Sequence, residues 1–395
     1  IESVGGRTGE RFMRIAIVND DMPFLVDSVA ALVADHGLTI EWLAHPVLTV
    51  ERSAAGKLKS LVGPLRESVI YFETPRADAR QRRELASALA TVLGDVYAAV
   101  ADWPKMQSAI EADAQSIVAN DGEGAALLRW LGEGMLTQLG HVTRRRDGSQ
   151  SGLLGICRKS ARTLLAEASY ERAFAWFDKA GGQGKGGGKR PVPLIVKANR
   201  IANVHRRVPL DLFIVPVIEG GKVTALSVHA GVWTSAALAA PPDRIPRLRE
   251  GLQRLMGKLE FDPSGHAGKA LVHALTALPH DLLIGFAAPE LERIATAMMS
   301  LVDRPRPKLA LVRAPLARHL FAFVWLPRDA VSTTLRGQVI DLLTTRTKAD
   351  VLDWSLSIEG SSLALLRFVL DIRETRVSAD EDALDAELQG MVRGW

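Results

Sequence analysis

The sequence predicts an α+β chain in which two ferredoxin-like βαββαβ sandwiches flank a mixed α/β unit and a helical connector. Near each end of the chain, in 12–101 and 309–392, short apolar strands alternate with amphipathic helices in nearly the order such a sandwich requires. Between them, the apolar residues of 243–303 recur with a helical period. Because 395 residues exceed one ordinary domain, we place domains at 1–119, 120–242, 243–307 and 308–395.

The composition is that of a globular protein with little electrostatic preference. Hydrophobic residues make up 47% and charged residues 24%, and 49 basic against 45 acidic residues leave a net charge of +4. We therefore expect neither a nucleic-acid nor a membrane partner. A single cysteine, Cys157, excludes an internal disulfide and a cysteine-based zinc site, and fits the cytoplasm. The sequence shows no 18-residue apolar run and no signal-peptide layout, and because it begins at Ile1 we expect a piece of a longer protein.

The first sandwich is predicted from six elements followed by a trailing helix. Pro23 opens the first helix and Gly37 ends it. The second helix is expected at 80–93 and the trailing helix at 104–119. The strands are expected at 15–18, 39–50, 68–73 and 96–100.

The corner between the first strand and the first helix is the candidate ligand-binding site. A helix N-terminus offers unpaired backbone N–H groups, which suit a carboxylate ligand. The acidic pair in this corner would serve equally well to cap the helix and to complement its dipole, so two interpretations stay open. The candidate residues are Asn19, Asp20, Asp21, Met22, Pro23 and Phe24.

The middle and last segments follow the same patterns less regularly. Residues 120–242 predict a sensor-like α/β unit with a hairpin that turns at Gly220 and Gly221. Three amphipathic helices form the connector, which Pro305 and Pro307 end. In the last segment a strand at 309–313 precedes a βαββα pattern. We expect it to pair with 320–326 and fill the slot of the missing final strand, giving a permuted sandwich.

Several sequence motifs that would indicate a binding or catalytic site are incomplete or absent. The glycine-rich run 181–190 lacks the spacing of a phosphate-binding loop and is interpreted as a flexible basic linker. No G-x-G-x-x-G follows a strand, and the nine histidines form no H-E-x-x-H motif, so no dinucleotide site, metal site or catalytic residue is predicted. Cys157 follows an apolar run and is expected to be a buried small residue.

One polar stretch between two predicted strands is a second candidate. It is either an anion-contacting or inter-domain cluster, or a solvated loop with a paired arginine and aspartate. Its residues are Lys197, Asn199, His205, Arg206 and Asp211. The βαββαβ order is shared with RNA-recognition modules, but the stacking aromatic motif of those modules is absent.

The opening motif Asn-Asp-Asp-Met-Pro-Phe-Leu-Val-Asp-Ser-Val at 19–29 resembles that of the large bacterial NAD-specific glutamate dehydrogenases. The likeness continues through Lys-Ala-Asn-Arg at 197–200, Leu-Pro-Arg-Asp at 326–329 and the terminal Arg-Gly-Trp at 393–395. Two departures stand out. Leu226 and Ser227 replace a Gly-Glu pair that is usual in the family, and Pro-His-Asp-Leu-Leu at 279–283 replaces Pro-Arg-x-Glu-Leu.

The resemblance implies the N-terminal regulatory region of such an enzyme, with ACT-type domains at both ends and a PAS-like unit between them. It implies that the catalytic domain follows later in the same chain and uses NAD, with no cofactor in this fragment. It further implies a homo-oligomeric parent and an amino-acid effector at the corner of 19–24. The alternative is a stand-alone ACT/PAS small-molecule sensor that acts through a protein partner. An enzyme complete within these residues has no matching catalytic constellation.

Overall fold

The computed structural model describes residues 1–5, 11–179, 191–359, 362–373 and 379–393. The predicted linker 181–190 and the terminal residues 394–395 lie outside them. Three sheets are found in the described residues. The chain divides into two compact units. The first unit comprises Ile1–Met106, Leu153–Arg162 and Ile201–Val208, and the second comprises Gln107–Gly152, Thr163–Arg200 and Pro209–Trp395.

The first unit contains a five-stranded antiparallel sheet with helices on one face. Its strand order is β1-β2-β5-β3, and β4 also pairs with β5. Alternate residues of the central strand, Met13 and Ile15, are buried, as expected of a sheet covered on one face. The elements are β1 (Glu2–Gly5), β2 (Arg11–Asp20), α1 (Leu25–Asp35), β3 (Trp42–Ala44), β4 (Val47–Arg52), β5 (Leu58–Pro75) and α2 (Ala79–Ile117), whose residues from Gln107 onward belong to the second unit.

The predicted closing strand at 96–100 is wrong. Helix α2 runs without interruption for 39 residues through this stretch and through the separately predicted helix at 104–119, with Pro104 inside it. The buried Leu85, Leu89, Val92 and Val96 keep one helical stripe. The edge position falls instead to β1, which pairs with β2. The predicted strand 39–50 is likewise divided into β3 and β4 around 45–46.

Helix α2 also meets the length and composition of a membrane-spanning helix, which is weak evidence because core helices of soluble proteins meet the same criteria. The helix carries two carboxylates that are almost wholly buried, Asp95 and Asp102. Asn203 donates to Asp95 at 2.5 Å, and Arg158 pairs with Asp102. Buried carboxylates with such partners are typical of a helix packed in protein.

The middle sheet in the second unit has the strand order β7-β6-β10-β9-β8. Strand β10 lies at its centre and pairs antiparallel with β6 and β9. The predicted hairpin turn is confirmed, because Gly220 and Gly221 connect β9 to β10 with positive φ angles of 58° and 77°. The elements are α3 (Gly122–Trp130), β6 (Leu136–Arg145), β7 (Gln150–Gly155), α4 (Glu167–Asp178), β8 (Leu194–Ile201), β9 (Pro209–Glu219) and β10 (Lys222–Trp233).

The predicted helical segment is confirmed, and it forms a packing layer within the second unit. Its apolar faces share one core with residues of the middle sheet such as Phe213 and of the last sheet such as Phe323. A short helix that the sequence did not predict, α8, lies between the last two long helices. The helices are α5 (Ser235–Leu238), α6 (Leu248–Lys258), α7 (His266–Ala277), α8 (His280–Leu283) and α9 (Ala288–Asp303).

The last sheet has the order β11-β12-β14-β13. The predicted pairing of its first two strands is confirmed by the antiparallel register of Leu311 with Ala322. Residues along β12 and β14 are buried on both faces, because one face contacts the helical layer and the other packs against α10 and α11. The elements are β11 (Lys308–Arg313), β12 (His319–Pro327), α10 (Thr333–Thr347), β13 (Asp350–Glu359), β14 (Leu363–Asp371) and α11 (Glu381–Arg393).

Candidate functional site

The predicted corner of 19–24 connects β2 to α1 in the first unit. Helix α1 begins after Phe24, whose side chain makes no capping hydrogen bond. The carboxylate of Asp21 accepts from Arg66 at 2.9 Å, and its backbone N–H donates to the Arg66 carbonyl at 3.0 Å. The capping interpretation is therefore wrong for Asp21, which pairs with the neighbouring strand. Asp20 is exposed at the end of β2.

Phe24 holds an unusual backbone conformation at this corner. Its φ is 71°, in the left-handed region, where a bulky side chain costs about 1–3 kcal/mol. The hydroxyl of Ser28 donates to the Phe24 carbonyl at 2.5 Å and accepts the His205 backbone N–H at 2.8 Å. The rings of Phe24 and His205 lie 5.2 Å apart, and His205 itself has a φ of 66°. Two strained residues thus support each other next to the first turn of α1.

The second predicted cluster does not assemble as one site. His205 and Arg206 belong to the first unit, where the ring of His205 lies 3.3 Å from the Asp27 carboxylate. Lys197, Asn199 and Asp211 belong to the second unit. The five residues were predicted as one cluster because they are close in sequence. The chain passes from one unit to the other at 200–201, so they are divided between the two units.

Lys197 is buried between two carboxylates in the second unit. Its Nζ lies 2.7 Å from Asp211 and 2.7 Å from Asp281, and all three side chains are largely buried. Burial and the charge of Asp281 raise the pKa of Asp211 to about 7, against the pull of Lys197. Burial also disfavours ionisation of Asp281, but Lys197 and Arg367 lower the pKa of that carboxyl to about 2. Because the two carboxylates share one lysine, one of them binds a proton more readily than the other, and that one is Asp211.

Asn199 joins a separate polar network in the same unit. Its amide donates to Asp371, and its carbonyl oxygen accepts from Arg318 at 2.9 Å and from His319 at 2.8 Å. No sequence signal marks these partners, because Asp281, Arg318, His319 and Asp371 lie 70 or more positions away from the stretch of 197–211. A partly buried amide that serves three polar side chains is a positioning element of the fold.

A cleft with a volume of about 1400 Å³ lies within the second unit. Its lining includes Asp113 of α2, Trp176 of α4, Arg247 and Phe286. Burial lowers the pKa of Arg247 to about 10, and this guanidinium donates to the Pro193 carbonyl at 2.8 Å. The sequence did not predict this cleft, because its walls come from segments more than 100 residues apart.

Three family models match the chain. The ACT1 domain of glutamate dehydrogenase matches residues 7–89, helical motif 1 of glutamate dehydrogenase matches 245–304, and its ACT2 domain matches 308–395. By class, then, this is an ACT-domain chain, in agreement with the helix-covered antiparallel sheets near its two ends. More particularly, it carries the ACT1 domain, helical motif 1 and the ACT2 domain of glutamate dehydrogenase, so the predicted resemblance to that family is confirmed.

Curated relatives agree with this assignment. The chain is 28% identical over 413 residues to an NAD-specific glutamate dehydrogenase of Halomonas elongata, covering 96% of this chain and 25% of that protein. It is 28% identical over 415 residues to that of Pseudomonas aeruginosa, with the same two coverages. It is 24% identical over 386 residues to that of Mycobacterium tuberculosis, covering 93% and 23%. The chain therefore spans about a quarter of the length of these relatives.

Proposed function

We propose that the chain is the N-terminal regulatory and oligomerisation region of an NAD-dependent glutamate dehydrogenase. The observation that carries the proposal is the presence of two ACT domains and helical motif 1 of this enzyme in a chain of one quarter of its relatives' length. The parent would convert L-glutamate, NAD and water to 2-oxoglutarate, ammonia and NADH. We assign that reaction, and the NAD site, to a catalytic domain elsewhere in the same polypeptide.

We further propose that 120–242 is a PAS-like unit between the ACT domains, with boundaries at 1–119, 120–242, 243–307 and 308–395. Its sheet supports this. Counted within the unit, the strands follow the order 2-1-5-4-3, so that the first and last strands are central neighbours. PAS-type sheets share this arrangement.

We propose an amino-acid effector for the corner of Asn19, Asp20, Asp21, Met22, Pro23 and Phe24. The positive end of the α1 dipole points to this corner, and the N-cap residue Phe24 makes no side-chain hydrogen bond to the helix. The first backbone N–H groups of α1 are therefore suitable partners for a ligand carboxylate. The exposed Asp20 and Asp27 offer negative charge for an ammonium group. The strained Phe24 supports a functional role, because such strain concentrates at ligand sites.

The test is a thermal melt of the 395-residue chain against a panel of free amino acids, followed by calorimetry on each hit. A ligand at one hundred times its dissociation constant stabilises the protein by about 2.7 kcal/mol. We expect at least one amino acid to raise the melting temperature, and a double replacement of Asp20→Ala and Asp21→Ala to abolish that rise. Asp21 pairs with Arg66 near the surface, so the double variant should still fold.

Asp243→Asn is the matched control, since Asp243 is an exposed carboxylate of the second unit. This control should keep the full ligand-induced shift. A shift that survives in the double variant would place the effector elsewhere, and a panel without any shift would leave the corner without an effector role.

We also propose that the region mediates homo-oligomer contacts. The β4–β5 hairpin exposes several large apolar side chains, which in a protein without a partner surface would be unfavourable. They are Val47, Leu58, Leu61, Val62 and Leu65, of which Val62 is 79% exposed. A second copy of the chain is the occupant we propose for this hairpin.

A further inference from the structure

Two histidines of the middle sheet face each other across neighbouring strands. His141 of β6 and His229 of β10 are direct partners in the antiparallel register, and their ring centres lie 4.8 Å apart. Both rings are almost completely buried, at 6% and 1% exposure. From α2, the carboxylate of Asp113 approaches the pair, with its Oδ2 atom 2.6 Å from His229 Nε2. One ligand-type atom from each of the three residues lies within 4.8 Å of the other two.

We propose that Asp113, His141 and His229 bind a divalent transition-metal ion of the zinc class, a site independent of the proposed enzyme function. Zinc binds histidine nitrogen and aspartate oxygen at about 2.0–2.2 Å, which places tetrahedral ligands about 3.4 Å apart. Small side-chain adjustments would bring the three atoms to that spacing. The fourth position would be taken by Ser227 Oγ or by water.

The orientation of His141 is the first support for the proposal. Its Nδ1 lies 2.8 Å from the Gly152 carbonyl oxygen and donates to it, which leaves the Nε2 lone pair directed at the cluster. This is the arrangement by which a backbone carbonyl fixes a metal-binding histidine. Gly152 permits the close approach, because its φ is 61° and a Cβ there would lie 3.3 Å from the His141 ring.

The shortage of protons within the cluster is the second support. Ser227 Oγ lies 3.0 Å from His141 Nε2 and 2.5 Å from Asp113 Oδ2. Its single hydroxyl hydrogen serves only one of these two acceptors, so the other contact joins two lone pairs. In a neutral imidazole whose Nδ1 donates to the Gly152 carbonyl, the Nε2 atom of His141 has no hydrogen to offer. A bound cation would coordinate the lone pairs that otherwise face each other within the cluster.

The same contacts argue against a hydrolytic triad. In such a triad the aspartate orients the Nδ1 atom of the histidine that contacts the serine. Here Nδ1 of His141 contacts a backbone carbonyl, while Asp113 contacts a different histidine. The Nδ1 atom of His229 is buried and has no hydrogen-bond partner among the described residues. Asp113 also lines the large cleft, so one of the three proposed ligands borders it.

The experiment is metal titration of the 395-residue chain after removal of ions with a chelator. We expect calorimetry and elemental analysis to show one Zn²⁺ per chain, and Co²⁺ to give the visible absorption of a tetrahedral site. Mg²⁺ should not compete, because it prefers an all-oxygen octahedral shell. His229→Gln should weaken Zn²⁺ binding by at least about 100-fold, since it removes a direct ligand.

His273→Gln is the matched control, because His273 lies exposed on α7. It should retain full affinity. Retained binding in His229→Gln, or stoichiometric binding lost in His273→Gln, would overturn the proposal, as would the absence of stoichiometric Zn²⁺ binding. If His229→Gln fails to fold, X-ray absorption at the zinc edge of the unmodified chain decides: two imidazole ligands support the site, and fewer contradict it.

Discussion

Lys197 holds the only positive charge in direct contact with both Asp211 and Asp281 among the residues the structure describes. Breaking a buried ion cluster by removing one partner is costly, because the remaining charges stay desolvated. Burial would lower the pKa of an isolated lysine, but the two carboxylates reverse this and raise the pKa of Lys197. The charge of Lys197 is therefore a structural requirement of this core.

We expect Lys197→Met to lower the free energy of unfolding by about 3–5 kcal/mol, because it leaves two carboxylates buried without a cation. Urea unfolding followed by tryptophan fluorescence measures this loss. Adding Asp281→Asn to Lys197→Met should recover part of it, since the second change removes one of the uncompensated charges.

Lys258→Met provides the comparison. Lys258 pairs with Glu292 at 2.6 Å but is 62% exposed, so its loss should cost no more than about 1 kcal/mol. Equal costs for the two lysine variants would contradict a special role for Lys197.

His319 predicts a pH dependence of stability. Burial lowers its pKa to about 4, with Arg318 and Lys197 adding to the effect and Asp371 opposing it. The unfolded chain binds a proton near pH 6.5 and the folded chain only near pH 4. Stability from this group is thus fully present above pH 6.5 and is lost as the pH falls from 6.5 to 4.

We expect His319→Gln to reduce the acid sensitivity of the protein. The difference in unfolding free energy between pH 7 and pH 4.5 should shrink by about 2–3 kcal/mol, measured by urea unfolding at both pH values. Glutamine keeps a donor for the Asn199 carbonyl oxygen, so the fold should survive. The exposed His266→Gln should leave the pH difference unchanged, and an unchanged difference in His319→Gln would refute the assignment.

At the scale of elements, the two end sheets have the same arrangement at one edge. Each places an additional N-terminal strand, β1 or β11, at the edge beside the first long strand. The sequence predicted this for β11 but assigned the corresponding slot in the first sheet to 96–100. The local apolar spacing at 96–100 fits a strand as well as a helix. The helix forms because Val96 is buried on the same stripe as the other apolar residues of α2.

At the scale of the whole molecule, the exposed β4–β5 hairpin predicts self-association. We expect Val62→Lys to weaken dimerisation of the chain by at least about tenfold, a loss of 1.4 kcal/mol, because a charge replaces apolar contact area. Sedimentation velocity over a concentration series measures the dissociation constant. Ile218→Lys, at a site 58% exposed in the second unit, should have no effect.

A monomeric chain at all concentrations would contradict the oligomeric role. Equal weakening by Val62→Lys and Ile218→Lys would instead show that the association does not depend on the hairpin.

The sequence by itself determined the α+β class, the helical segment, the β11–β12 pairing and the family, because each depends on local periodicity or on a contiguous motif. Tertiary structure alone decided which distant side chains meet. In the folded chain Lys197 contacts Asp281 and Asn199 contacts His319. His141 faces His229, which lies 88 positions further along the chain. The physical reason is that strand register and helix packing set these contacts, and neither is encoded in the spacing along the chain.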